Sequence, residues 1–263
     1  MNIVVCVKYV PDAQGDRHFE ADNTTDRESV DGLLSELDEY AVEEALRLVE
    51  AGGGEVTLLT MGPGDAAAAL KKGLQMGADK AVLVTDEAIA GSDAVATSLV
   101  LAAAIGRIGS EAGAVDLVLT GLASTDGSMS VVPAMLAERL GLPQVTFASE
   151  LSVEGGSVRI RRDSEIDSQT VESSLPAVVS VTDQINEPRY PSFKGIMAAK
   201  KKPVQTWGLA DLGVEASRVG LDAAWSRVEE VVARPPRSAG EVVTDEGEGG
   251  VKLAQFLASR KFV

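Results

Sequence analysis

Cysteine and histidine occur once each in 263 residues, as Cys6 and His18. One thiol forms no intramolecular disulfide and no cysteine metal cluster. It fits a reducing compartment. His18 lies in a polar stretch and reads as a solvated loop residue. It cannot make an H-E-x-x-H zinc site, and a Ser-His-Asp triad would need it in a pocket. No G-x-x-x-x-G-K-[ST] loop is present, which excludes a P-loop ATPase. Aromatic residues are only 4%, so the core must be built from Ala, Val, Leu and Ile. That mix suits a parallel sheet covered by Ala-rich helices. Basic residues are outnumbered 24 to 40, for a net charge of −16. Such a surface repels phosphate backbones and anionic lipid, which argues against nucleic-acid binding and membrane-surface roles. It permits steering toward a partner with a basic patch. The richest apolar run, Ala94 to Ile105, is too short to cross a bilayer and reads as a buried helix. Residues 1–8 lack the basic leader and cleavage site of a signal peptide. Carboxylates such as Glu43, Glu44 and Glu50 sit on a helix face, where solvation is the default, and no nucleophile or general base stands out.

What is present is an alternation. Short β-branched runs are predicted as strands at Ile3–Val7, Glu55–Met61, Lys80–Thr85, Asp116–Thr120, Gln144–Glu150 and Ala177–Val181. Between them, helical spacing predicts helices at Asp38–Ala51, Asp65–Met76 (Asp65 as cap), Ser92–Ile108 (Ser92 or Asp93 as cap) and Ser128–Leu140. Ser157–Arg162 and Thr170–Ser173 suit an antiparallel edge, and residues 9–27 a loop or small hairpin. The order implies right-handed βαβ units: an α/β fold with a mostly parallel twisted sheet and helices on both faces, Rossmann-like. After Pro188 the texture changes. Arg234–Arg237 signals a linker, residues 241–250 are acidic and Gly-rich, and residues 251–263 regain a helical pattern through Leu253, Phe256 and Leu257. A short helix on a flexible tether needs a surface to lie on.

Four segments carry possible chemistry. Lys8, at the end of the first strand, could meet a phosphate, though a solvated lysine is the plainer reading. Gly62-Pro63-Gly64-Asp65-Ala66-Ala67 has the G-x-G-x-x-A form, with Asp86 at the spacing of a ribose-binding acid. It follows the second strand and spends one donor position on proline, so a tight βα turn is the better reading and an NAD-dependent enzyme the lesser one. Gly121 to Ser130 joins a strand to a helix through small residues, which suits a phosphate at the helix start; Asp126 would cap that helix or bind a ribose hydroxyl. Asn186 to Met197 carries Tyr190, Phe193, Ile196 and Met197 with little periodicity, like a contact loop.

Taken in order, Val7–Asp12, Ala41–Ala45, Met76–Asp79, the 121–130 loop, Leu136–Gly141, Pro143–Ala148, Leu175–Val179 and Asn186–Tyr190 with the lysine run at 200–202 resemble electron transfer flavoprotein beta subunits. The resemblance runs from about residue 3 to 203 and resumes at Asp211–Val214 and at Pro235–Gly240. It implies a heterodimer with an alpha subunit that holds most of a redox-active FAD. It implies a structural AMP in this chain, although some relatives bind a second FAD there. The implied nucleotide contacts are Cys6, Ser35, Glu36, Leu37, Asp38, Met61, Gly121, Leu122, Ala123, Ser124, Thr125, Asp126, Gly127, Ser128, Met129, Ser130, Val131 and Val132. Many relatives carry Asn-Pro at 35–36 and an acid-Thr-Ala-Gln run at 128–131, so those contacts rest on backbone donors. Tyr190, Phe193, Ile196 and Met197 would dock donors such as acyl-CoA dehydrogenases, with electrons passing on to a membrane quinone oxidoreductase. Arg162, Asp163 and Glu165 would meet the alpha subunit. The domains implied are a nucleotide-binding unit at 1–206, with its recognition loop at 186–203, and an arm at 207–263 wrapping the alpha subunit. The implied role is an electron carrier without catalytic residues or metal, without direct membrane insertion, cytoplasmic in a bacterium or in the matrix of a mitochondrion. The alternative is a universal-stress-type nucleotide-binding module, which would need no partner chain.

Overall fold

The computed structural model describes residues 1–15, 17–237, 240 and 242–263. Asp16 in the predicted hairpin, Ser238 and Ala239 in the tether, and Glu241 in the acidic stretch lie outside the described residues. The elements run β1 (Asn2–Cys6), β2 (Tyr9–Pro11), β3 (Gly32–Leu34), α1 (Glu36–Gly52), β4 (Glu55–Met61), α2 (Ala67–Met76), β5 (Lys80–Val84), α3 (Ala94–Ala112), β6 (Leu117–Gly121) and α4 (Val132–Leu140). Then follow β7 (Gln144–Glu154), β8 (Ser157–Asp163), β9 (Ser168–Ser174), β10 (Ala177–Val181), α5 (Phe193–Ala199), β11 (Val204–Trp207), α6 (Leu209–Leu212) and α7 (Gly249–Ser259).

Among the described residues, nine strands form one sheet in the order β11-β5-β4-β1-β6-β10-β7-β8-β9. The pairs from β11 to β7 are parallel, and β7, β8 and β9 add the antiparallel edge. β2 and β3 pair separately, Tyr9 opposite Leu34, so the chain after Tyr9 returns at Gly32–Leu34, beyond the 9–27 stretch expected as a loop or small hairpin, within which a single bridge joins Phe19 and Thr25. The central strands read as unbroken apolar runs because both faces are covered. Along β1, Ile3 and Val5 join a core with α1 and α2, while Val4 and Cys6 join a second core with α3 and α4. Successive side chains point to opposite faces, so one strand serves two layers. α1 buries Ala41, Val42, Ala45 and Leu46 at helical spacing and stops at Gly53, whose φ of 75° a side chain would resist.

Several elements depart from the sequence reading. The 67–76 helix is preceded by a single 3₁₀ turn at Gly64–Ala66, and Asp65 caps nothing. α3 continues past Ile108 to Ala112, giving 19 residues with a mean hydropathy of 1.3. By length and composition it could span a bilayer, contrary to the expectation for this run. In the fold it packs on the sheet through Val100, Leu101, Ala104, Ile105 and Ile108, as a core helix does. α4 starts at Val132, four residues later than expected. Residues 193–199 are helical rather than loop, and Val204–Trp207 is an edge strand paired with β5. The first compact unit ends at Glu229, so Trp207, Leu209, Val214 and Val219 belong to its second core. Two aspartates fix that stretch. Asp86 accepts from Ala88 N–H with one oxygen and from Leu209 N–H with the other. Asp93 caps α3 at Ala96 N–H, 2.9 Å, and its second oxygen accepts from Trp225 and Ser226.

The second unit, Glu230–Val263, contains α7, with Val251, Leu253 and Phe256 exposed along it.

Candidate nucleotide site at the carboxyl ends of the strands

β1 lies between β4 on one side and β6 on the other, so the chain winds outward in both directions from this pair. In open α/β sheets the crevice outside such a switch point is where ligands bind. Cys6 pairs with Thr120 there, and the loop after Gly121 closes over the strand ends.

The loop is shaped by backbone conformation. Ser128 and Ser130 have φ of 52° and 56°, in the left-handed region that L-residues seldom adopt. These two residues, and Pro133 in the first turn, delay α4 to Val132. Its N-cap, Val131, offers no side-chain acceptor, so the first turn presents amides that no side chain caps. Asp126, expected to cap that helix or to bind a ribose hydroxyl, does not cap it. It faces inward instead, pairing with Lys8 Nζ at 2.8 Å and Arg27 NH2 at 2.7 Å, with its side chain only 3% exposed. Gly127 N–H also donates to it, at 2.7 Å. Burial pushes this carboxyl up, but the Lys8 ammonium and hydrogen bonds from Lys8, Ser124 and Arg27 outweigh that and hold it well below the usual carboxylate range. Lys8, although partly exposed, is engaged rather than free at the strand end: its Nζ also reaches Ser124 Oγ at 3.5 Å. Arg17 donates to Thr125 O at 3.0 Å. Arg17 and Arg27 were not singled out from the sequence. They are the two arginines between Lys8 and Arg47, but nothing local says which acid or carbonyl, about a hundred residues away, they meet.

Below the loop, Asp38 in the first turn of α1 accepts from Lys8 N–H at 2.8 Å. Burial raises its carboxyl to about 7, against the opposing pull of the Lys8 amide and ammonium. The Cys6 thiol is pushed up to about 12 by burial and by the Asp38 charge, which leaves it neutral and unreactive. Ser35, fully buried at the start of α1, has no partner for its hydroxyl. Glu36 is exposed, Leu37 turns its carbonyl toward Gly121, and Met61 packs into the second core near the end of β4. The arrangement brings Cys6, Asp38, Gly121, Ser124 and Asp126 together around Lys8.

An acid whose folded pKa is raised keeps a proton that the unfolded chain has released, so its contribution falls as pH rises from about 4 to about 7. Urea unfolding at pH 5 and pH 8 tests this. The loss of stability between the two should be smaller in Asp38→Asn than in the parent; equal losses would refute the assignment.

The other candidates lie apart from this crevice. Gly62 spends its amide on Val84 O, and Asp86 is occupied by two backbone amides, so Gly62–Ala67 is a βα turn. Tyr190, Phe193, Met197 and Ile196 are 92%, 81%, 48% and 37% exposed around α5. Arg162 donates to Thr146 O and Oγ1, and Asp163 accepts from Ser149, Ser168 and Arg161 within the β7–β9 edge, while Glu165 is exposed at its tip. Among the described residues, no group of three His, Cys, Asp or Glu side chains is placed to hold a metal.

A family profile described as "Electron transfer flavoprotein domain" matches residues 22–212. The chain is 49% identical to the electron transfer flavoprotein subunit beta of Mycobacterium tuberculosis H37Rv, covering 100% of this chain and 99% of that protein. It is 38% identical to Protein FixA of Azorhizobium caulinodans, over 94% and 90%. It is 33% identical to the subunit beta of Megasphaera elsdenii, over the full length of both. With its α/β architecture and full-length likeness to these proteins, the chain belongs to the electron transfer flavoprotein beta-subunit family.

Proposed function

We propose that this chain is the beta half of a heterodimeric electron carrier. Its alpha subunit holds most of a redox-active FAD, which takes electrons from donors such as acyl-CoA dehydrogenases and passes them to a membrane quinone oxidoreductase. This chain shields that flavin, holds an AMP and docks the donor through Tyr190, Phe193, Ile196 and Met197. The observation that carries the reading is the full-length match to proteins named as beta subunits. The AMP assignment rests on the chemistry of the loop. Two left-handed serines and an uncapped helix start supply backbone amides suited to a phosphate. Lys8 and Arg27 add cationic charge beside them, and Ser35 is a buried hydroxyl at the implied site. Contacts to the nucleotide would come from residues 121–132, with Ser35 to Asp38, Cys6 and Met61 completing the walls. Arg162, Asp163 and Glu165 would face the alpha subunit, and of the arm expected at 207–263 the part from residue 230, beyond the first compact unit, would lie along it.

The test is to coexpress the chain with its alpha subunit and identify the nucleotides released on denaturation. One FAD and one AMP per heterodimer is the expected result. Two FAD would overturn the AMP assignment and keep the carrier. A chain that binds a nucleotide but recruits no flavin-bearing partner would overturn the proposal.

A further inference from the structure

α5 presents a problem of support. It is seven residues long and none of them is buried. A helix that short does not hold itself in water; Phe193, Ile196 and Met197 are exposed, and Ala199 packs, partly buried, against the first core. Beyond that contact, three attachments to α1 and α2 account for its place.

At the entry, the Arg189 guanidinium spans two carboxylates of α1. Nε and NH2 meet both oxygens of Glu43 at 2.7 and 3.0 Å, and NH1 and NH2 meet both oxygens of Glu50 at 2.5 and 3.0 Å. Asn186 adds donations to Tyr40 O and to Glu44. Glu43 and Glu44, expected to be solvated, are each 5% exposed and committed to this clamp. In the middle, a Cβ built on Gly195 would lie 2.4 Å from Gln75 O, so α5 touches the end of α2 backbone to backbone. At the exit, Lys202 Nζ donates to the carbonyls of Leu74, Gly77 and Ala78 at 3.0, 2.8 and 2.6 Å. Those are the carbonyls at the end of α2, where helix partial negative charge collects.

We propose that Arg189, Gly195 and Lys202 are positioning residues that hold α5 ready for the donor, so that Tyr190, Phe193 and Met197 are presented without being ordered at each encounter. Bidentate, charge-assisted bonds fix direction as well as distance. An anchor ordered beforehand spares the complex the cost of ordering it. The inference rests on the docking role proposed for Phe193, and the experiment separates the two.

The flavin-loaded heterodimer is varied in concentration against an acyl-CoA dehydrogenase and its acyl-CoA, and its reduction is followed by flavin absorbance. Arg189→Met is expected to raise KM for the heterodimer roughly tenfold with little change in kcat. Flavin content and the rate of reduction by dithionite should stay at parent values. Arg189→Lys should recover part of the KM, since one ammonium cannot span both carboxylates. Gly195→Ala and Lys202→Met should raise KM in the same direction, and they carry the test if Arg189→Met does not assemble. In a Phe193→Ala background, Arg189→Met should add less than it does in the parent, because one of the three side chains it acts through is already removed. Unchanged KM in the clamp variants, or an effect that adds in full to that of Phe193→Ala, overturns the proposal. If Phe193→Ala alone leaves KM unchanged while Arg189→Met raises it, the docking role of Phe193 falls and the clamp stands.

Discussion

Replacing Gly121 by alanine is expected to destabilise the protein by about 2 kcal/mol and to strip the nucleotide from the purified heterodimer. The end of β6 presses on the start of α1. A Cβ at Gly121 would lie 2.5 Å from Leu37 O and 2.6 Å from Asp38 Oδ1. The first is backbone. The second belongs to a buried carboxylate already held by Lys8 N–H. Neither is the loose end of a side chain, so the helix start or the strand end must move. Both border the crevice, and a shift there displaces the loop that follows. Gly106 in α3 provides the control, since a Cβ there meets nothing within 4 Å. Gly106→Ala should be neutral, or stabilising by up to about 1 kcal/mol, because alanine is the better helix former. Urea midpoints and nucleotide content measure both. A Gly121→Ala protein with parent values on each count would show that the contact yields without cost.

Replacing Asp126 by asparagine is the second large effect expected, at about 2 kcal/mol near pH 7. A buried carboxylate with two cationic partners costs several kcal/mol to remove, and that is discounted here because Lys8 and Arg27 are 40% and 35% exposed. The pH dependence identifies the cause. The folded pKa of Asp126 is depressed, so its contribution is complete above the unfolded value of about 4 and fades as pH falls below it. The gap between parent and Asp126→Asn should therefore be full at pH 7 and smaller at pH 3. A gap that does not change with pH would mean lost packing rather than lost charge. The nucleotide responds separately: freed of Asp126, Lys8 and Arg27 are two uncompensated cations at the loop.

The sheet was legible because burial on both faces writes strands as plain apolar runs. Ala177–Val181 and Glu55–Met61 match residue for residue. The 121–130 loop was legible because a strand, then small residues, then a helical pattern can be read locally. Its shape was not. The late start of α4 depends on left-handed conformations at Ser128 and Ser130 that serine does not announce. β11 was missed because Val204, Gln205 and Thr206 are exposed at a sheet edge, so no apolar run marks it. Lys8 and Asp126 were each noticed for other roles. Their pairing joins residues 118 apart, and only the fold brings them together.

The forked use of Asp86 and Asp93 sets a limit on where this polypeptide can be cut. Each gives one oxygen to its own turn and the other to amides between residues 209 and 226. A protein trimmed at residue 206 would leave those outer oxygens without their amide partners and uncover the core lined by Ile89, Val100 and Leu101. Shortened versions made for crystallography or fusion should therefore keep the chain at least through Ser226, with the permissible end point in the segment beyond Glu229.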